Sequence, residues 1–300
     1  MVRGRGERVV LIVVAADKGA PGVTTSCLAL ALAWPRRVLL AECDPAGADL
    51  PWRLPASDGR PLVQGKGLVS LATSTRGRVY GGNRGGGAMG PGQRVWDHVQ
   101  HLDGGLPVLV GPPAPEQAEA MGAAWGTVAD LLAGVEDADV IADCGRLLSG
   151  SSPAAALLPR ADLVVLITRA TVSGVAHTRR GLTGIARLLN DVPRPGSGSG
   201  LGSGSGLERL AVVVVADPTT PGRRRAQQRD VGDVLAQAPG LQDIPVAGVL
   251  AHDPRAAAAL SGHPTTGRAV DRSALLTSAT TVAQGLLERA QLVSFGAVTA

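Results

Sequence analysis

Short runs of Val, Leu and Ile punctuate the chain at Arg8 to Ala16, Arg37 to Cys43, Pro107 to Val110, Asp139 to Asp143, Asp162 to Thr168, Leu210 to Ala216 and Pro245 to Leu250. Between them lie segments with helical spacing of apolar residues: Val23 to Trp34, Pro115 to Gly134, Gly174 to Asn190, Arg223 to Gln237, Pro254 to Ser261 and Ser273 to Gln291. Runs that are apolar throughout, without alternation, belong to strands covered on both faces. Their alternation with helices predicts an α/β three-layer sandwich around a mostly parallel sheet. Asp253-Pro254 adds an N-cap acceptor before a first-turn proline. The last helical segment carries Leu275, Leu276, Val282, Leu286 and Leu287. Its charges, Arg272, Glu288 and Arg289, suit packing on the sheet better than binding to anionic lipid.

Two segments resist this scheme. Gly77 to Gly92 and Gly196 to Gly206 are glycine-dense and read as flexible surface loops within one domain spanning residues 1–300. Gly85 to Gly90 satisfies G-x-G-x-x-G, but without a strand before it or a helix after it the match is compositional.

At 300 residues with 45% hydrophobic content, the chain can bury a substantial core, which excludes disordered, collagenous and disulfide-stapled classes. The 29 basic residues include only two lysines, Lys18 and Lys66, a usage that reads as the coding bias of a GC-rich genome. A net charge of +4 is therefore compatible with DNA or an acidic surface and demands neither. Arg3, Arg5 and Arg8 before the run Val9 to Ala16 imitate a secretion signal. That run is rich in strand-forming Val and Ile and leads into a Gly-rich turn, not a cleavage site. No apolar stretch reaches the roughly 18 to 20 residues that span a bilayer. A soluble, cytoplasmic protein with reduced Cys27, Cys43 and Cys144 is expected.

The chemistry concentrates in Val9 to Leu32, VVLIVVAADKGAPGVTTSCLALAL. A buried strand enters a turn holding Gly19 and Gly22, and Thr24-Thr25 opens an apolar helix. There backbone N–H groups and a helix N-terminus converge on a phosphate, and first-turn hydroxyls can hold Mg²⁺.

This stretch resembles the loop of the ParA/MinD family of deviant Walker-A ATPases, K-G-G-x-G-K-T-T. Lys18 falls at the family's extra signature lysine, Gly19 and Gly22 at its glycines, and Thr24 and Thr25 at its threonines. Val38 to Asp49, VLLAECDPAGAD, is similar to the family's second strand and D-x-D-P-x-G segment, with Asp44 at the acidic position facing the attacking water. Asp139 to Gly145, DVIADCG, looks like its Walker-B strand, with Asp143 at the end. Asp162 to Gly174, Leu210 to Pro218 and Ile244 to Leu260 match later strands, so the resemblance spans about residues 8 to 261. It implies a P-loop NTPase-like sheet and ATP or ADP held by Lys18, Gly19, Gly22, Thr24, Thr25, Asp217 and Pro218. It further implies Mg²⁺ at Thr24, Asp44 and Asp143, and catalytic roles for Lys18 and Asp44. In the family Lys18 reaches across a dimer to the partner's nucleotide, so a homodimer is expected.

The departures carry equal weight. The phosphate-binding lysine of the pattern is Val23, the first glycine of the general P-loop form is Asp17, and Ala20-Pro21 replaces Gly-x. Losing one cation removes a charge-assisted contact of roughly 1.5–3 kcal/mol, about one to two decades of affinity. A carboxylate at Asp17 would add repulsion if it faced the phosphates. Eroded P-loops of this sort resemble the CpaE/TadZ group, which localises pilus or secretion machinery, so a scaffolding factor with weak or absent hydrolysis is the expected function. The alternatives are an active DNA or plasmid partitioning ATPase and, on the same scaffold, a dethiobiotin synthetase-like ligase.

The three cysteines lack C-x-x-C spacing and read as small buried hydrophobes. His98, His101, His177, His252 and His263 show no ligand spacing and read as loop or surface residues. Arg223, Arg224, Arg225 and Arg229 read as a solvated helix start, with DNA phosphates or an acidic protein as the functional alternative.

Overall fold

The computed structural model describes residues 8–18, 22–80, 91–147, 151–191, 206–217, 221–263, 270 and 272–294. In chain order the first half comprises β1 (Leu11–Ala16), α1 (Val23–Leu32), β2 (Val38–Glu42), α2 (Leu50–Arg53), α3 (Leu68–Tyr80), α4 (Pro91–Trp96), β3 (Gln100–His101), β4 (Pro107–Leu109), α5 (Pro115–Met121) and α6 (Ala124–Ala133). Then come β5 (Asp139–Arg146), β6 (Leu163–Arg169), α7 (Val172–Asp191), β7 (Leu210–Ala216), α8 (Pro221–Ala236), β8 (Val246–Ala251), α9 (Pro254–Ala259) and α10 (Ala274–Ser294).

All six residues of β1 are buried, which places it inside a sheet and away from any edge. The sheet order is β3-β4-β2-β5-β1-β6-β7-β8, and every neighbouring pair is parallel except β3 with β4. This is the expected mostly parallel α/β sandwich. Although the strand runs are apolar on both sides, period two still sorts their side chains. Leu11, Val13 and Ala15 join a core with Leu71 of α3, Trp125 and Val128 of α6, Leu182 of α7 and Leu235 of α8. Ile12, Val14 and Ala16 join a second core with Leu28 and Leu30 of α1 and Leu275, Val282 and Leu286 of α10. The C-terminal helix thus packs on the sheet. Among the described residues no helix is long and apolar enough to cross a membrane.

Two aspartates fix the entry of β1. Asp139 accepts from the amide of Val10 at 3.0 Å, from Trp34 Nε1 at 2.8 Å and from Arg36, whose Nε lies 2.8 Å away. On the other flank Asp162 accepts from the Leu11 amide at 2.8 Å and from Ser294 Oγ of α10 at 2.8 Å. Asp139 begins β5 and Asp162 immediately precedes β6, the two strands flanking β1, so sheet register and helix placement are tied at one edge.

The expected helix from Pro115 to Gly134 is broken in two. Gly122 adopts φ +50°, a left-handed turn that ends α5 before α6 begins. Helices α2, α3 and α4 and the short β3 lie outside the pattern read from sequence. In α3 the apolar signal is diluted by Ser and Thr, whose hydroxyls bond back within the helix: Thr73 to Val69 O, Ser74 to Leu71 O and Thr75 to Ala72 O. Leu68, Leu71 and Ala72 nevertheless bury on the sheet, and the helix continues through Gly77 to Tyr80. Of the first glycine-dense segment, residues 77–80 and 91–92 are therefore helical, and 81–90 lie outside the described residues. In the second, Gly206 opens a 3₁₀ turn, Gly206–Arg209, and residues 196–205 lie outside them.

At the carboxyl edge the strands β1, β2 and β5 end side by side. The chain leaves β1 toward β2 and leaves β5 toward β6, on the opposite side of β1, so the edge opens a crevice at a change of winding direction.

Replacing Asp139 by Ala leaves the Arg36 charge, the Trp34 N–H and the Val10 amide without their shared acceptor. Denaturant unfolding of Asp139→Ala is expected to show a loss of about 3 kcal/mol or more, and a loss below about 1 kcal/mol contradicts this role.

Candidate functional site

The crevice holds a cavity of about 600 Å³, within the range of small-molecule sites. One wall is the turn between β1 and α1. Gly22 sits at φ +82°, where an L side chain is strained, and its carbonyl accepts from the Ser26 amide at 2.8 Å to start α1. No side chain caps α1 and its first turn carries no acid, so that end keeps its positive dipole. Gly22, Val23 and Thr24 line the cavity beside Lys18, which is exposed. Val23 is buried to 8% exposure among the apolar side chains under α1.

The facing wall is built from β2 and β5. Asp44 lines the cavity, and its Oδ1 accepts from the Ala46 amide at 2.8 Å. Burial raises the Asp44 carboxyl above its ordinary value. Gly145 makes room for it: at φ +53°, a Cβ there would lie 1.8 Å from Asp44 Oδ2. Beneath Thr24 lies Asp143, buried to 2% exposure. It accepts from the Thr24 hydroxyl and, at 3.1 Å, from the Gly145 amide, yet burial outweighs both and pushes its pKa up to about 6. The structure thus joins Lys18, Gly22, Thr24, Asp44 and Asp143 in one site.

Two other expected residues, Thr25 and Asp217, do not line the cavity. Thr25 turns its hydroxyl to Arg53 Nη1 at 3.2 Å. Asp217, at the end of β7, is exposed, stands 3.4 Å from His252 Nδ1 and does not line the cavity. Gly19 and Pro218 lie outside the described residues. Asp17 does not face the cavity as the repulsive carboxylate considered above. It is buried against α7, where Arg180 Nη2 lies 2.9 Å from Oδ2 and His177 Nδ1 at 3.7 Å.

Sequence reading missed four contributors. Arg146 ends β5, lines the cavity, and donates from Nε to the Asp17 carbonyl at 2.9 Å. Arg53 and Asp49, on and before α2, form an ion pair at 2.6 Å in the same wall, next to Trp52, which is 75% exposed. Glu42, buried at the end of β2, accepts from the amides of Asp49 at 2.6 Å, Leu50 at 2.9 Å and Gly111 at 3.1 Å. Burial overrides these bonds and pushes its pKa up to about 7. The available signal for Arg146 was its place three residues after Asp143, at the carboxyl edge of the sheet. Arg53 and Asp49 sit in a segment whose pattern announced no element.

The lining is thus positive at Lys18, Arg53 and Arg146 and negative at Asp44 and Asp49. Among the described residues no cluster of three or more His, Cys, Asp or Glu could hold a metal by itself. The two carboxylates of Asp44 and Asp143 and the Thr24 hydroxyl are hard oxygen donors of the kind that would suit Mg²⁺, an ion that keeps few protein ligands. Cys27 and Cys144 have their thiols raised well above the ordinary value, Cys27 by burial and Cys144 by its hydrogen bond with Cys43, and all three are buried.

By sequence, no family profile and no curated protein matches the chain. Solved structures do. A ParA family ATPase from Chlorobium tepidum shares 14% identity at TM-score 0.60 over 92% of this chain and 98% of that one. A putative plasmid partition protein from Borrelia burgdorferi bound to AMPPNP shares 11% at TM-score 0.60 over 94% and 99%. The septum site-determining protein MinD complexed with Mg-ADP from Pyrococcus horikoshii shares 18% at TM-score 0.53 over 92% and 95%. The fold is that of the ParA/MinD ATPases. In this chain the β1–α1 turn, the β2 end and the β5 end are the three segments that meet at the crevice.

Two outcomes follow from this geometry. An alanine at position 145 must displace the Asp44 carboxylate, so Gly145→Ala is expected to cost about 1–3 kcal/mol in denaturant unfolding, and a neutral result contradicts the close approach. Asp143 has a folded pKa raised from 3.8 to about 6, so its proton is held more tightly in the folded state. Its stabilisation is present below the unfolded value and lost as pH rises through about 6. The melting temperature of Asp143→Asn relative to wild type should therefore improve between pH 4 and 7; a difference independent of pH would refute the assignment.

Proposed function

We propose that the chain is a ParA/MinD-type P-loop protein with a degenerate nucleotide site, binding Mg–ATP or Mg–ADP weakly and hydrolysing ATP slowly or not at all. Its work is spatial: a positioning or scaffolding factor, similar to the CpaE/TadZ group, for pilus or secretion machinery. The observation that carries this reading is the pairing of Lys18 at the cavity mouth with an apolar, buried Val23 where the pattern calls for a phosphate-binding lysine. Relatives of the same fold were solved with Mg-ADP and with AMPPNP, which supports a nucleotide in this crevice.

In this reading the Gly22 turn and the first turn of α1 receive the phosphates through backbone N–H groups. Thr24, Asp44 and Asp143 would hold Mg²⁺, which when bound would neutralise phosphate charge. Asp44, held by Ala46 and given space by Gly145, orients the attacking water. Phosphoryl transfer depends on positioning and charge neutralisation, so the missing cation at position 23 slows that step more than it weakens binding. Lys18 is exposed and reaches the partner's nucleotide in a face-to-face homodimer.

A second reading, an ATP-driven DNA or plasmid partitioning switch, rests on the exposed Arg225 and Arg229 of α8. Salt-sensitive, sequence-independent DNA binding would favour it over scaffolding. For the main reading, titration with labelled ATP and Mg²⁺ should show weak binding with turnover at background, and Val23→Lys should tighten binding by about ten- to a hundredfold. Lys18→Ala should abolish nucleotide-dependent dimers in size-exclusion chromatography with light scattering. Brisk wild-type turnover overturns the degenerate-site reading.

A further inference from the structure

Three cations border the cavity, and their existing partners distinguish them. The Arg53 guanidinium is already engaged on every side: Nε and Nη2 on Asp49, Nη1 on Thr25 and Ser261. It is a wall, with its charge compensated by a carboxylate at 2.6 Å. Lys18 is exposed at the mouth, on a long flexible stem. Arg146 differs from both. A single bond from Nε to the Asp17 carbonyl orients its guanidinium, and neither Nη group has a protein partner among the described residues. Gly145 at φ +53° turns the chain where β5 slips register against Ala16, so the residue that follows lies beside the end of β1 and the start of the loop. The side chain is exposed and lines the cavity with Gly22 and Val23.

We propose that Arg146 is the phosphate-binding cation of this site, supplying from the end of β5 the positive charge that the loop lacks at Val23. The inference rests on the nucleotide reading above and names the group that makes it workable. A guanidinium carries five donors in a planar fork, and with Nε committed to the Asp17 carbonyl the two Nη groups present paired N–H bonds to a phosphate's oxygens. The ligand class is a nucleoside di- or triphosphate, bound as its Mg²⁺ complex. Because the fork is anchored on a backbone carbonyl of the loop, anion binding and loop position are coupled through one side chain. Lysine at position 146 would keep the charge and lose the paired geometry.

The test is equilibrium binding of fluorescent Mg–ATP to the full chain as wild type, Arg146→Ala, Arg146→Lys and the double variant Arg146→Ala/Val23→Lys, with thermal melting of each nucleotide-free protein. Arg146→Ala should weaken binding by about ten- to a hundredfold, Arg146→Lys by less, and Val23→Lys should restore it in the double variant. A purely structural arginine would not be rescued by a lysine placed at the opposite wall. If Arg146→Ala does not fold, Arg146→Lys decides: affinity equal to wild type at equal melting temperature overturns the paired contact. Wild type that binds while Arg146→Ala binds within twofold of it overturns this inference alone. Wild type that binds no nucleotide at all overturns the nucleotide reading instead.

Discussion

Everything at the site depends on β1 being held in the middle of the sheet. A strand buried on both faces has no freedom to tilt, and its entry is fixed by carboxylates on both flanks, Asp139 of β5 and Asp162 just before β6. With the entry fixed and the register with β5 and β6 parallel, the exit is fixed as well. The turn that follows, the start of α1 and the ends of β2 and β5 therefore meet at one place on the carboxyl edge. Three loops far apart in sequence become one cavity because one strand cannot move.

Within that cavity charge is arranged around burial. Asp143 and Glu42 are both pushed toward their neutral forms by the protein around them, the one beneath Thr24 and the other inside a ring of three amides. The cations sit outside them on the rim. Such a layout suits the proposed anion with its own metal, in which Asp44 and Asp143 would hold the metal and the rim would hold the phosphate oxygens. Arginine on the rim also suits the chain's composition, since nearly all of its positive charge is guanidinium.

Much of this was legible before any coordinates. The seven apolar runs became seven strands with bounds shifted by a few residues, because a strand covered on both faces leaves an unbroken apolar signature. The loop motif located the cavity, since the glycine at position 22 and the hydroxyl at 24 answer to backbone geometry and ligand chemistry that a sequence can carry. What stayed hidden lacked such a signature. Helix α3 is held by Leu68, Leu71 and Ala72, while the hydroxyls of its Ser and Thr donate to carbonyls of the preceding turn and their polarity blurs the periodicity. The break at Gly122 needs a left-handed residue in a segment that otherwise continues helically. Asp17 looked like a threat to phosphate binding because sequence gives position without direction, and its side chain points to α7. Arg146 and Arg53 were inconspicuous among so many arginines, and only the turn at Gly145 and the placement of α2 set them apart.

The Asp17 contact also has a mechanical meaning. This residue stands where the loop begins, with its carbonyl held by Arg146 and its carboxylate gripped by Arg180 of α7. Displacing Asp17 must move α7 with it or break a charged contact whose acid is nearly sealed from water. The helix layer on the far side of the sheet is thus tied by one ion pair to the residue at which the loop begins, although α7 does not line the cavity.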